Sequence, residues 1–301
     1  MARAAARPTL ILPSNGRSHG WRPDTPNVNA PRLHQRLSTR TRVSALPDPM
    51  IDPKLYPLIR DQDWLGSCTG FGTENAMIIK FKERHPHLFG KGKWSDDYRF
   101  SPLALYWLGR RRENSILVDS GCEIQDVVGE AMAFGAPTEE AWPYYIQSHN
   151  WKRKPVQKAF DTGLWHKAIG SWRADEKGAS TEKTVDNMLR GLHAGLTGVY
   201  GFTCYDNLGE ADDNGIVPLP KSNSRVEGGH CVTFLWADTR ARIFWGANSW
   251  SNTWGGRAPK GARFDERGYI GLPFQGIIDG WIDDAWLIDV AQGADQMRAA
   301  A

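Results

Sequence analysis

Helical periodicity fills the first half of this sequence and short β-rich runs fill the second, which restricts the chain to folds that segregate helices from strands. Asp61 to His87 opens with turn-forming residues, becomes helical near Cys68, carries Ala76, Met77, Ile79 and Phe81 on an apolar face, and stops at Pro86. Ser101-Pro102 puts proline at a second helix start, ahead of Leu103, Leu105, Tyr106 and Trp107. A third helix runs from about Glu123 to Phe134, with Ile124, Val127, Val128, Ala131 and Met132 at helical spacing and Gly135 as its cap. Beyond a basic link at Trp151 to Pro155, one more helix spans Thr181 to His193. The strand-like runs follow: Thr197–Tyr205, His230–Trp236, Arg242–Ala247 and Tyr269–Leu272. The expectation is an α+β protein of two lobes: a helical lobe over 51–150 and a β-rich lobe over 151–290, with an arm at 1–50 and a tail at 291–301.

Charge separates the arm from the body. Residues 1–50 hold eight arginines, no lysine, two aspartates and seven of the 18 prolines, while the whole 301-residue chain carries only +3. Near-balance excludes a dominant polyanion-binding surface. Arg36, Arg40 and Arg42 lack interleaved aromatics, so a solvated arm is expected there rather than a nucleic-acid contact. No window approaches the ~20 apolar residues of a membrane span. Thr9 to Leu12, closed by Pro13, is too short for a secretory core, although the arm's lack of acidic residues before Asp24 is compatible with a transit peptide. An intracellular, cytoplasmic protein is expected, with the arm packed on the body or on a protein partner. The four cysteines form no C-x-x-C, so neither a disulfide scaffold nor a zinc site is expected.

Two constellations carry chemistry. Cys68 stands at the first turn of its helix, where the dipole favours thiolate. Gln62, six residues earlier, is placed to fold back and share an oxyanion with the Cys68 backbone N–H. The other constellation is His230 with Asn248. A three-residue turn at Asp238-Thr239-Arg240, with Ala237 opposite Ala241, sets these two side chains directly across a hairpin, with Cβ atoms ~5 Å apart. Asparagine there fixes one imidazole nitrogen and leaves the other for a thiol. Cys204 and Cys231, inside apolar runs, are expected to be inert. Gly16-Arg17-Ser18-His19-Gly20 formally matches a hydrolase elbow, but Pro13 and Pro23 deny it the strand and helix that motif needs. His85-Pro86-His87 lacks a completing ligand and reads as a helix end.

Taken in order, Gln62…Gly66-Ser67-Cys68, Gly228-Gly229-His230 and Asn248-Ser249-Trp250 resemble the papain-like cysteine peptidases, family C1. Phe134-Gly135, Trp142-Pro143-Tyr144, Trp254-Gly255 and Gly268-Tyr269 agree with that family, and Phe100-Ser101-Pro102 and Asn214-Gly215 to Pro220 look like its bacterial and phage branch. The resemblance covers about residues 50–290. It implies a helical lobe facing a β-barrel-like lobe across a cleft. Cys68 would be the nucleophile, His230 the base and acid, Asn248 its orienter, and Gln62 part of the oxyanion hole. Trp250 would shield the His–Asn bond and, with Gly121, Cys122 and Gly229, line the substrate-binding site. It implies no metal or organic cofactor, and a peptide or protein as the substrate.

There are departures. Thr69 follows the nucleophile, Leu65 stands where a disulfide cysteine often sits, Cys122 replaces a glycine of the substrate segment, and Ser251 replaces another. The arm is shorter than an inhibitory prodomain, so control by a folded prodomain is not expected. The leading function is a cysteine endopeptidase. Its rivals are a structural or binding component, for example of a phage particle, in which case the protein would be virion-associated, and acyl transfer or amide hydrolysis on cell-wall peptides.

Overall fold

The computed structural model describes residues 18–37, 46–89, 98–164, 166–211 and 213–290. Its organising element is α1 (Cys68–Arg84), which starts after Ser67 and is buried over nearly its whole length. An amphipathic stripe does not suffice for such a helix, because sheet covers one side and helices the other. Small residues let both approach: a Cβ on Gly70 would lie 2.3 Å from the Pro102 carbonyl oxygen. α2 (Pro102–Arg112) begins where the Ser101 hydroxyl accepts the Ala104 N–H at 3.1 Å. α3 (Ile124–Phe134) ends at Gly135, whose φ of 74° suits a residue without Cβ.

Among the described residues the other α-helices are α4 (Gln157–Gly163), α5 (Thr181–His193) and α6 (Phe274–Ile278), and there are eight strands. β1 (Ala168–Arg173), β2 (Thr197–Tyr205), β3 (Val226–Phe234) and β8 (Ile282–Val290) form an antiparallel sheet in the order β1-β8-β2-β3. β4 (Trp236–Asp238), β5 (Ile243–Ala247), β6 (Gly256–Arg257) and β7 (Arg267–Pro273) form a second, in the order β4-β5-β7-β6. The strands make two open sheets and no closed barrel. One apolar cluster gathers α1, α2 and α3 against one side of the first sheet, and a second gathers both sheets with α5 and α6.

Three expectations are corrected. The run at His230–Trp236 is not one strand: it breaks at Leu235 and passes from the first sheet to the second. Ala237 pairs with Phe244 rather than Ala241, because the Asp238 carboxylate accepts the Ala241 N–H at 2.6 Å and Arg242 adopts φ 59°, making a longer turn. His230 therefore pairs with Phe202 of β2, not with Asn248.

The arm is bound to the body wherever it is described. Leu33 lies in the core, Arg32 pairs with Asp175, and Asp24 is buried in a knot. There Asp24 accepts from Arg173 (3.0 Å), from the Trp286 indole (2.8 Å) and from the Gln125 backbone (3.0 Å), while its own N–H donates to Asp284. Of the three arm arginines, Arg36 lies over the Trp172 ring, and Arg40 and Arg42 fall outside the described residues.

Candidate active site

The loop before α1 is held from both sides. Gly66 donates its N–H to Asp119 at 3.0 Å, and the Tyr144 hydroxyl donates to the Gln62 carbonyl at 2.7 Å while meeting the Ser67 hydroxyl at 2.7 Å. Gln62 itself is buried. Its side-chain oxygen accepts the Ser249 hydroxyl at 2.6 Å, and its backbone N–H donates to the Ser249 carbonyl at 2.9 Å. Nε2 of Gln62 is thereby turned toward the helix start, where it donates to the Leu65 carbonyl at 3.0 Å and the Ser18 carbonyl at 3.2 Å.

Cys68 is fully buried, its sulfur faced by the backbone N–H groups of Cys231, Gly20 and Thr69. Burial outweighs those donors and pushes the thiol up to about 12. Cys231 is the neighbour of His230, so the thiol lies beside the strand that carries the imidazole.

His230 Nε2 and Asn248 Oδ1 are 2.7 Å apart, and the same oxygen accepts the Ser249 N–H at 2.8 Å. A carboxamide oxygen only accepts, so Nε2 carries the proton and Nδ1 is the basic nitrogen. Nδ1 is buried and makes no hydrogen bond. The Trp250 ring stacks on the imidazole at 4.2 Å and 23°, and Trp254 meets Trp250 edge-on at 5.0 Å. Burial drives the imidazole down to about 3, against the opposing Asn248 bond. With this strap in place burial disfavours the charged form of both the thiol and the imidazole.

Residues 18–22 run through the site as an extended strap. Gly20 and Trp21 both donate their N–H to the Gly229 carbonyl at 2.9 Å. Trp21 forms a parallel bridge with Cys122: the Cys122 N–H donates to the Gly20 carbonyl at 2.7 Å, and the Arg22 N–H to the Cys122 carbonyl at 3.2 Å. The Trp21 indole occupies the space over Gly201 and Gly229, where a Cβ would come within 2.0 Å and 2.7 Å of the ring. The His19 ring lies 6.4 Å from His230 and 6.2 Å from Trp250. No separately folded prodomain is needed for this occupancy, which five extended residues achieve.

Gln62, Cys68, His230 and Asn248 thus converge, and Cys122 and Gly229 present backbone groups to the strap. Gly121 abuts it, a Cβ there lying 2.1 Å from the Gly20 carbonyl oxygen. Trp250 is fully buried, stacked on His230, with the His19 ring of the strap 6.2 Å from its own. Sequence reasoning missed Asp119, Ser249 and the strap itself. Tyr144 was legible only as part of a turn.

No protein-family model matches the chain. An uncharacterised peptidase C1-like protein of Acanthamoeba polyphaga mimivirus is 28% identical over 234 residues, covering 76% of this chain and 68% of the relative. Among solved structures, xylellain, a cysteine protease from Xylella fastidiosa, superposes with a TM-score of 0.72 at 25% identity, over 91% of this chain and 96% of that one. The bromelain protease of Ananas comosus in complex with the E64 inhibitor matches in fold, with a TM-score of 0.54 at 15% identity over 81% of this chain and 99% of that one.

Proposed function

We propose, from the premise that this chain is a papain-like cysteine peptidase, that Cys68, His230, Asn248 and Gln62 carry its hydrolysis of peptide bonds and that the strapped form is latent. The observation behind the assignment is the state of His230: Nε2 is committed to Asn248, and Nδ1 is left without a partner in the buried site.

In the open enzyme, Nδ1 of His230 takes the Cys68 proton and the resulting thiolate attacks the scissile carbonyl carbon. The oxyanion accepts from Gln62 Nε2 and the Cys68 N–H, a donor of this kind being worth about 3 kcal/mol. Imidazolium then protonates the leaving amine as the C–N bond breaks, giving a thioester. Water, deprotonated by Nδ1, attacks that thioester, and the acid departs as the thiol is restored. Asn248 keeps the imidazole in the tautomer these transfers require.

Latency follows from the strap's placement. The Ser18 carbonyl holds the Gln62 donor, and the Gly20 N–H faces the thiol, so no carbonyl carbon is presented for attack. Alkylation of each cysteine by iodoacetamide against pH, read by peptide mass spectrometry, tests both parts. The intact chain should label slowly at Cys68, and a strap-loosened Trp21→Ala chain rapidly near pH 5, ahead of Cys204 and Cys231. Equal rates in the two chains would overturn latency. Peptide cleavage surviving in a folded Trp21→Ala/Cys68→Ala chain would overturn the assignment of the nucleophile.

A further inference from the structure

Beyond the catalytic residues, the strap meets one charged group of the body inside the cleft. Glu113 caps α2, with its side chain 8% exposed. One carboxylate oxygen accepts the Cys122 thiol at 3.1 Å and the Glu123 N–H at 2.8 Å, and the other is paired with the Arg22 guanidinium. Among the described residues Arg22 is the only cation in salt-bridge contact with Glu113. The neighbouring positive charges are spent elsewhere: Arg112 on Asp126 and Glu130, and Arg111 on Glu130.

The contact is built like recognition of a peptide rather than like a chance surface pair. Arg22 follows the residue that bridges Cys122 and is held by its own backbone N–H on the Cys122 carbonyl. The Cys122 thiol in turn orients the Glu113 carboxylate, so one segment reads both the backbone and the side chain of the bound strand. When the strap leaves, Glu113 keeps its two neutral donors and loses its salt-bridge partner, with Arg110 remaining only as a longer-range charge, so the freed carboxylate favours a ligand that supplies a cation.

We propose that Glu113 is a specificity-determining residue of this peptidase, taking the guanidinium or ammonium of a basic substrate side chain beside the residue that pairs with Cys122, on the side away from Cys68. This rests on the reading above that the cleft binds and cleaves peptides. Arg22 holds the same place in the latent form, so one carboxylate serves closure and substrate choice in turn.

The test uses the full-length chain with Trp21→Ala and Arg22→Ala, which empties both strap positions. A single arginine is moved along an otherwise fixed neutral peptide, and kcat/KM is measured at each register. One register should exceed its glutamine counterpart by about tenfold or more. Adding Glu113→Gln, which retains acceptors for Cys122 and Glu123, should flatten that peak and leave the other registers unchanged. A flat profile before the change, or a peak that survives it, overturns the proposal. Binding of the same labelled peptides to the Cys68→Ala form, read by fluorescence anisotropy, separates the two readings. An arginine preference there that depends on Glu113 sustains the subsite even if cleavage fails, and its absence removes the subsite even if cleavage succeeds.

Discussion

The Gln62 side-chain amide donates to the Ser18 backbone carbonyl at 3.2 Å, so the donor proposed above for the oxyanion is already satisfied by the strap of the same chain. On the proposed mechanism that carbonyl must be displaced before turnover, and each neighbour of the strap becomes a handle on activity.

Trp21 is the largest such handle. Its indole is buried against Gly201 and Gly229, and truncation to alanine removes contacts worth ~3 kcal/mol or more in a packed site. The Trp21→Ala chain should cleave a peptide substrate at least tenfold faster than the intact chain at equal concentration, with its melting temperature lowered by about 5 °C. Unchanged cleavage rates would mean that the strap does not limit access.

His19 should make closure sensitive to acid. Burial holds its imidazole down to about 4, with the Glu227 carbonyl and carboxylate opposing and the His230 ring alongside. An exposed strap titrates near the ordinary value of 6.5. A depressed pKa favours the closed state fully above that value, and the advantage is lost as pH falls toward 4, at most ~3 kcal/mol in all. Cutting of residues 18–22 by an added acid-tolerant protease, normalised at each pH to a His19→Gln chain, should rise over this window.

Asn248 should act on rate more than on stability. Asn248→Ala frees His230 Nε2 from its 2.7 Å partner, and loss of correct proton transfer lowers kcat/KM by about 10² or more. Measured on the Trp21→Ala background, the fall should appear in kcat, with KM nearly constant and the near-ultraviolet circular dichroism retained.

The knot around Arg173 should act on stability. Its guanidinium reaches Asp24 at 3.0 Å and Asp284 at 2.9 Å, both carboxylates almost wholly buried. Arg173→Met leaves them without their cation, a loss on the order of 3–5 kcal/mol, visible in urea unfolding. Restoring neutrality with Asp24→Asn in the same chain should recover part of it.

The α1 start was legible because a cysteine after Gly66-Ser67 and before an apolar helical stretch is a strong local signal. His230 and Asn248 were paired in advance, yet through a hairpin that in fact stops at Trp236–Trp245 and runs in another register. The contact is made between sheets, where Gly246 lets β5 cross β3 so closely that a Cβ would lie 1.4 Å from the Thr233 oxygen. Strand β8 escaped detection because Asp283-Asp284 interrupts its apolar pattern, and only the folded protein reveals Arg173 beside Asp284. An arm packed on the body was expected, but the strap's passage through the site at residues 18–22 could not be read. Its hold on the cleft comes largely from backbone groups of Gly20, Trp21 and Arg22, which leave no periodic trace in the side chains.

Strand β8, near the C-terminal end, lies between β1 and β2 in the sheet that carries His230. A ribosome therefore delivers residues 18–22 well before the strand that completes the His230 sheet. By the time that sheet closes, the segment that occupies the cleft has long been present on the same molecule. On the proposed reading, the restraint is thus translated before the sheet that it restrains can be completed.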